Sequence, residues 1–143
     1  GPQGDQGPQG DQGPQGDQGP QGIGYLGFAS GMVNAGVPVT LDDIRASVST
    51  SGLRSLMLAT TTGSFNAVIS ASYTVVGGSA GWGQGAYPTI TTTPALVFNW
   101  DFFSHGDLAV YYVRNTSNNR LYRITMMIGF SYENNMISIE RLI

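Results

Sequence analysis

The chain has 143 residues, a formal net charge of −3 and no cysteine, which excludes disulfides and thiolate metal sites. All of that charge belongs to residues 1–22, where Asp5, Asp11 and Asp17 have no basic partner; the other 121 residues set six Arg against six acids, with no lysine. This balance leaves no electrostatic footprint for a nucleic-acid backbone or an anionic membrane. Residues 1–22 also lack every apolar side chain, so the 41% apolar content falls on the remainder, which is enough for one domain and too short for two.

Glycine recurs at every third position of the first segment: Gly1, Gly4, Gly7, Gly10, Gly13, Gly16, Gly19 and Gly22. Gly-Pro-Gln alternates with Gly-Asp-Gln, the Gly-X-Y pattern of a collagen triple helix, whose crowded axis admits only glycine. The alternative is a disordered Pro/Gly/Gln linker. Seven triplets in unbroken phase point instead to the triple helix, a rod of roughly 65 Å at about 3 Å per residue. No proline stands in a Y position, so hydroxylation there has no target, and no Lys or Arg is present to form interchain ion pairs. Such a helix is weak. It needs a neighbour that holds three chains together, and residues 41–143 are expected to be that homotrimeric head. The head's composition points the same way: about 10% of it is charged, against roughly 25% in ordinary domains. With so few charges and about half its residues apolar, part of its surface is expected to be buried between subunits. The repeat is already in phase at the first residue, so the chain reads as a piece of a longer polypeptide. No secretory signal and no run long enough to span a membrane are visible.

Residues 23–40 read as a transition or linker, with Gly24, Gly27, Gly31 and Gly36 out of triplet phase among Tyr25, Leu26, Phe28, Met32 and Val33. Thr40-Leu41-Asp42-Asp43-Ile44 resembles a helix start, with Thr40 as N-cap and acids in the first turn, and predicts a short helical turn through Ala46. From residue 53 the periodicity becomes two. Ala67, Ile69, Ala71, Tyr73 and Val75 share one face, and Leu96, Phe98, Trp100 and Phe102 another. Leu108–Val113 is continuously apolar and predicts a strand buried on both faces. A turn at Asn115–Asn119 precedes a return strand with Tyr122, Ile124, Met126, Ile128 and Phe130 on one face. A second turn at Glu133-Asn134-Asn135 leads to Ile137, Ile139 and Ile143. The pattern is all-β, an antiparallel sandwich or barrel-like head.

The segment Gly77–Pro88 holds five glycines around Trp82 and Tyr87, and is expected to be the loop that carries binding. Both rings offer large flat faces for stacking on a sugar or docking a receptor loop; the alternative is that they fold back on the sheet or a neighbouring subunit. His105 is the sole histidine. Three copies near a trimer axis would make a His₃ metal site, but one histidine without paired ligand spacing reads better as a loop or capping residue, so no metal and no cofactor are expected. Ser–His–Asp chemistry through His105 and Asp107 lacks a Gly-x-Ser-x-Gly elbow. Asn115-Thr116-Ser117 fits a glycosylation sequon, though a turn explains it equally well. Arg114, Arg120 and Arg123 cluster around that hairpin, with Glu133 and Glu140 or a neighbour's acids as expected partners.

Two stretches carry a family resemblance. Val39-Thr40-Leu41-Asp42-Asp43-Ile44 is followed by Ser49-Thr50-Ser51-Gly52-Leu53-Arg54-Ser55-Leu56. Near the C-terminus stand Tyr122-Arg123-Ile124-Thr125-Met126-Met127-Ile128-Gly129 and Ile137-Ser138-Ile139-Glu140-Arg141-Leu142. Together with the collagen-like repeat, these resemble the C-terminal head of tail-fibre proteins from lambdoid phages and enterobacterial prophages, over nearly all of residues 33–143 apart from the glycine-rich middle. The resemblance implies a homotrimeric distal fibre domain on the virion that contacts a bacterial cell-surface receptor, protein or glycan. A trimerisation foldon of purely structural role is the alternative. Some phage tail proteins cleave polysaccharide with paired carboxylates. Here the head offers only Asp42, Asp43, Asp101, Asp107, Glu133 and Glu140, and little room for a long groove, so an enzyme is not expected.

Overall fold

A computed structural model of the chain describes residues 1–13, 15, 26–34, 36–49, 54–75, 80–97, 106–129 and 134–143, with 84–88 as backbone only. The described part is all-β. Ten strands follow in order: β1 (Phe28–Val33), β2 (Val39–Leu41), β3 (Ile44–Val48), β4 (Leu56–Thr60), β5 (Ser64–Thr74), β6 (Ala80–Thr91), β7 (Ala95–Leu96), β8 (Leu108–Asn115), β9 (Leu121–Met127) and β10 (Asn135–Arg141). They form a six-stranded sheet, β1-β10-β9-β8-β5-β6, and a four-stranded one, β2-β3-β4-β7, with every pairing antiparallel. Described residues 1–13 and 15 form neither helix nor strand and are exposed.

Period-two alternation builds the core. Phe65, Ala67, Ile69 and Ala71 of β5, Tyr111 and Val113 of β8, Tyr122, Ile124 and Met126 of β9, and Ile137 and Ile139 of β10 are all buried. They share one hydrophobic cluster with Ile44, Ala46, Val48, Leu56 and Leu58 of the smaller sheet. The antiparallel sheet thus curls around one core. The chain passes from one sheet to the other where its backbone can reverse. Gly36, at φ 84°, donates its N–H to Val48 O between β1 and β2, and Gly63, at φ 66°, accepts from Thr60 Oγ1 between β4 and β5.

The strands around Ala67–Val75, Tyr122–Met126 and Ile137–Ile139 lie where the alternation predicts, as does the Asn-rich turn between β8 and β9. There Asn115 Oδ1 accepts from Ser117 N and Asn118 Oδ1 from Arg120 N, while Asn119 takes φ 62°. Four readings need correction. The expected helical turn at 40–46 is a β-hairpin: Leu41 pairs with Ile44 around a two-residue loop, in which Asp42 adopts φ 53°. The apolar set Val39, Ile44, Ala46 and Val48 faces the core at strand spacing, and this burial outweighs the capping pattern. Residues 28–33, read as transition, form β1 at the edge of the larger sheet. From Ala80 onward the glycine-rich segment is a strand rather than a loop, with Gly81 leaving room for the Tyr73 ring of β5, while residues 77–79 lie outside the described part. Strand β8 is buried on one face only, with Tyr112 40% exposed on the other. Of the strand expected around Leu96–Phe102, β7 covers Ala95–Leu96, and residues 98–105 lie outside the described part.

Gly129 lies two residues beyond the end of β9, and a Cβ there would fall on the backbone carbonyl of Asn134. At Gly31 an added Cβ would meet Val39 Cγ2 at 3.5 Å, an ordinary contact. Gly129→Ala is therefore expected to cost about 2–4 kcal/mol in denaturant unfolding, and Gly31→Ala less than about 1 kcal/mol. Equal midpoints for the two variants would contradict this account.

Candidate functional site

The face of the six-stranded sheet turned away from the core is read by following register across the strands. One row runs Ser70–Tyr112–Arg123–Glu140–Phe28. The next runs Trp82–Ser72–Val110–Thr125–Ser138–Ser30, and the next Ala80–Thr74–Leu108–Met127–Met136–Met32. Neither of the last two rows contains a charged residue. In the first row Arg123 and Glu140 form a salt bridge, and hydrogen bonding to that carboxylate raises the Arg123 pKa. The face is thus nearly neutral and carries several apolar side chains in the open, with Met32 64% exposed and Trp82 81%.

Trp82 owes its position to the sequence of β6. Gly81 and Gly83 pair with Tyr73 and Ala71, whose side chains point to the core side, so Trp82 between them points outward. The Tyr73 ring lies over Gly81, where a Cβ would come within 2.5 Å of Cε1. Glycine here lets an aromatic ring seal the core at the sheet edge. Farther along, the β5–β6 register shifts by one residue between Phe65 and Ala67, and Pro88 falls in that bulge on the edge strand, a place that tolerates a residue without an N–H. Tyr87 lies on the same strand and pairs with Ala67 across the backbone. The structure therefore puts both expected binding residues on one edge strand, with Trp82 as a projecting ring.

Of the polar residues singled out in the sequence, Asp42, Asp43 and Arg120 meet around the Tyr122 hydroxyl, and the other described ones lie apart from them. Asp42 joins the β2–β3 loop to the larger sheet: its carboxylate takes Arg141 Nη1 at 3.0 Å, Arg120 Nη1 at 3.8 Å and the Tyr122 hydroxyl at 3.1 Å. Tyr122 Oη also lies 3.5 Å from Asp43 Oδ1. Glu140 is held by Arg123, and Arg114 donates to Asn119 Oδ1. Asp107 is buried beside β9, its carbonyl accepting from Ile128 N. Buried Arg54, which sequence reasoning missed, donates from Nη1 to Gly129 O at 3.0 Å and reaches Asn135 Oδ1 at 3.5 Å. Asn115 of the sequon is buried and its amide oxygen is engaged in the turn, so it is built as a turn residue. Asp101, His105 and Glu133 lie outside the described residues. Among the described residues, no three of His, Cys, Asp and Glu gather as metal ligands, and no helix is long and apolar enough to cross a membrane. A pocket lined by Gly36, Ser47, Val48, Ser49, Met57 and Pro94 carries no ionisable side chain.

No protein-family model, curated protein or solved structure matches the chain.

Burial pushes the Tyr122 hydroxyl up to about 12 from its ordinary 10.0, with Asp42 and Asp43 adding to the rise and the Arg120 hydrogen bond opposing it. A phenol whose folded pKa is raised stabilises the fold fully below pH 10, and that contribution is lost as pH climbs from 10 to 12. Tyr122 is therefore expected to ionise late in an absorbance titration of the native protein. Tyr122→Phe should remove that late step and flatten the stability loss over the same interval.

Proposed function

We propose that the chain is the distal module of a homotrimeric fibre, in which a sandwich-like β head holds three copies together and fixes the register of a collagen-like stalk. The observation that carries this reading is the glycine repeat set against the single chain. At Gly1, Gly4, Gly7, Gly10 and Gly13 an added Cβ would meet nothing within 4 Å, so no contact within one chain calls for glycine there. Three chains meeting at a common axis do call for it.

The resemblance to lambdoid tail-fibre heads supplies the rest of the proposal. The module sits at the far end of a virion tail fibre and binds a receptor on the bacterial surface, protein or glycan. Trp82 and Tyr87 are the proposed receptor-binding residues. Trp82 supports this as a large flat ring on an edge strand, exposed and bordered by the small side chain of Ser72. Binding rather than catalysis is favoured because Asp42 and Glu140 are engaged in ion pairs and Asp107 is buried. Three identical sites on one rod raise avidity without strong single-site contacts.

Light scattering of the full chain is expected to give the mass of three copies. Trp82→Ala should leave that mass unchanged and weaken adhesion to host cells by at least about tenfold, the loss of one aromatic anchor multiplied across three sites. Full adhesion by Trp82→Ala together with Tyr87→Ala would remove these residues from the site. A trimer that neither decorates cells nor blocks phage adsorption would leave only the structural foldon.

A further inference from the structure

We infer that the β1-β10-β9-β8 part of the outward sheet face, centred on Met32, Met136, Met127, Leu108, Val110 and Tyr112, is covered by a neighbouring copy of this chain, while Trp82 on β6 at the opposite sheet edge stays outside the contact. The inference rests on the trimer reading and adds to it the surface through which the copies meet.

Four of these residues form an unbroken apolar line across the sheet: Leu108 pairs with Met127, Met127 with Met136, and Met136 with Met32. Val110 and Tyr112 continue the patch along β8. Such a line on an outer face departs from the usual polar-out alternation of a sheet with one wet side. Methionine is flexible and polarisable, and it packs well against a surface that is not an extension of its own core. The patch spans the four strands β1, β10, β9 and β8, about 14 Å at 4.8 Å spacing, and about 14 Å along β8 from Leu108 to Tyr112 at 3.4 Å per residue. Its flat projection is on the order of 200 Å², well below the roughly 800 Å² that each partner buries in a stable interface, so the contact depends on a shared stalk to keep the copies close.

What selects a second copy as the occupant is the stalk. The glycine repeat ends at Gly22, and Phe28 opens β1, an edge strand of this sheet, so few residues separate the proposed meeting point of three chains from this face. Electrostatics agree. Identical copies repel through unpaired like charges, and here the two rows through Val110 and Leu108 carry none, while Arg123 is neutralised by Glu140 within its own chain.

The absence of cysteine makes a clean probe possible. In the full chain carrying Met127→Cys, the single thiol is expected to react with a maleimide at least about tenfold more slowly than the thiol of Asn118→Cys in the exposed turn, in samples with the mass of three copies. Met127→Glu is expected to lower the mass to one copy while keeping the β-sheet circular dichroism. Equal labelling rates in a three-copy sample would overturn this interface and leave the trimer standing. A wild-type chain with the mass of one copy would overturn the interface and the trimer reading together.

Discussion

Everything in the β-rich part depends on two sheets sharing one core, with the alternate residues of the larger sheet turned away from it. Ile44, Leu56 and Leu58 on the smaller sheet and Ile69, Tyr111, Ile124, Ile137 and Ile139 on the larger one have almost no contact with solvent. A fully buried aliphatic or aromatic side chain contributes roughly 1.5–3 kcal/mol, so this set supplies most of the driving force for folding. Its geometry has a consequence for the other side of each strand. Alternate residues cannot reach that core, and whatever they carry must be satisfied by water or by another molecule. In β5 they are mainly Ser, Thr and Asn, which water serves well. In β1, β8, β9 and β10 they include Met32, Leu108, Val110, Met127 and Met136, which it does not.

One polar anchor between the sheets is the Asp42 cluster, and buried Arg54, bonded to Gly129 O and Asn135 Oδ1, is another. The β2–β3 loop is too short to bury an apolar residue, and Asp42 takes a left-handed conformation there that a short polar side chain tolerates. Its carboxylate gathers Arg120, Arg141 and the Tyr122 hydroxyl, three groups from the far sheet. Partly exposed ion pairs are each worth little. Their value here is positional: Tyr122 is a core ring on β9 whose hydroxyl is fixed by a loop of the other sheet, so the sheets cannot slide without breaking that bond. The late ionisation of Tyr122 is the electrostatic expression of the same placement.

Much of this was legible in the sequence wherever one physical signal dominated. Period-two burial located β5, β9 and β10, and Asn115–Asn119 announced its turn because asparagine side chains imitate backbone turns. Legibility failed where two signals competed. At Thr40–Ala46 the capping pattern and the strand alternation coexist, and pairing with β4, many residues away in the chain, decided for the strand. At 80–91, glycines signal a loop only if nothing fills the space they leave, and the Tyr73 ring fills it. The Asp42 node was invisible for the same reason: its partners lie about eighty to a hundred residues away in sequence, and only the fold brings them together. Trp82 was singled out by residue type, yet its outward direction depends on the parity of its glycine neighbours in a strand that was read as a loop.

In the proposed trimer, a stalk and a head that would each be weak alone support one another. A short Gly-X-Y segment without Y-position proline or interchain ion pairs has little to hold it closed, and an apolar sheet face of modest area gives a weak association between free heads. Once three chains share a stalk, each head meets its neighbours at an effective concentration in the millimolar range, where a weak face is sufficient. On that proposal the heads would in turn hold the chain ends in register, removing the entropic cost of aligning three strands before the first triplet can form. The distribution of charge is consistent with the proposal. Asp5, Asp11 and Asp17 make the repeat acidic, which would discourage bundling of neighbouring rods, while residues 23–143 are formally neutral, which would let identical surfaces approach.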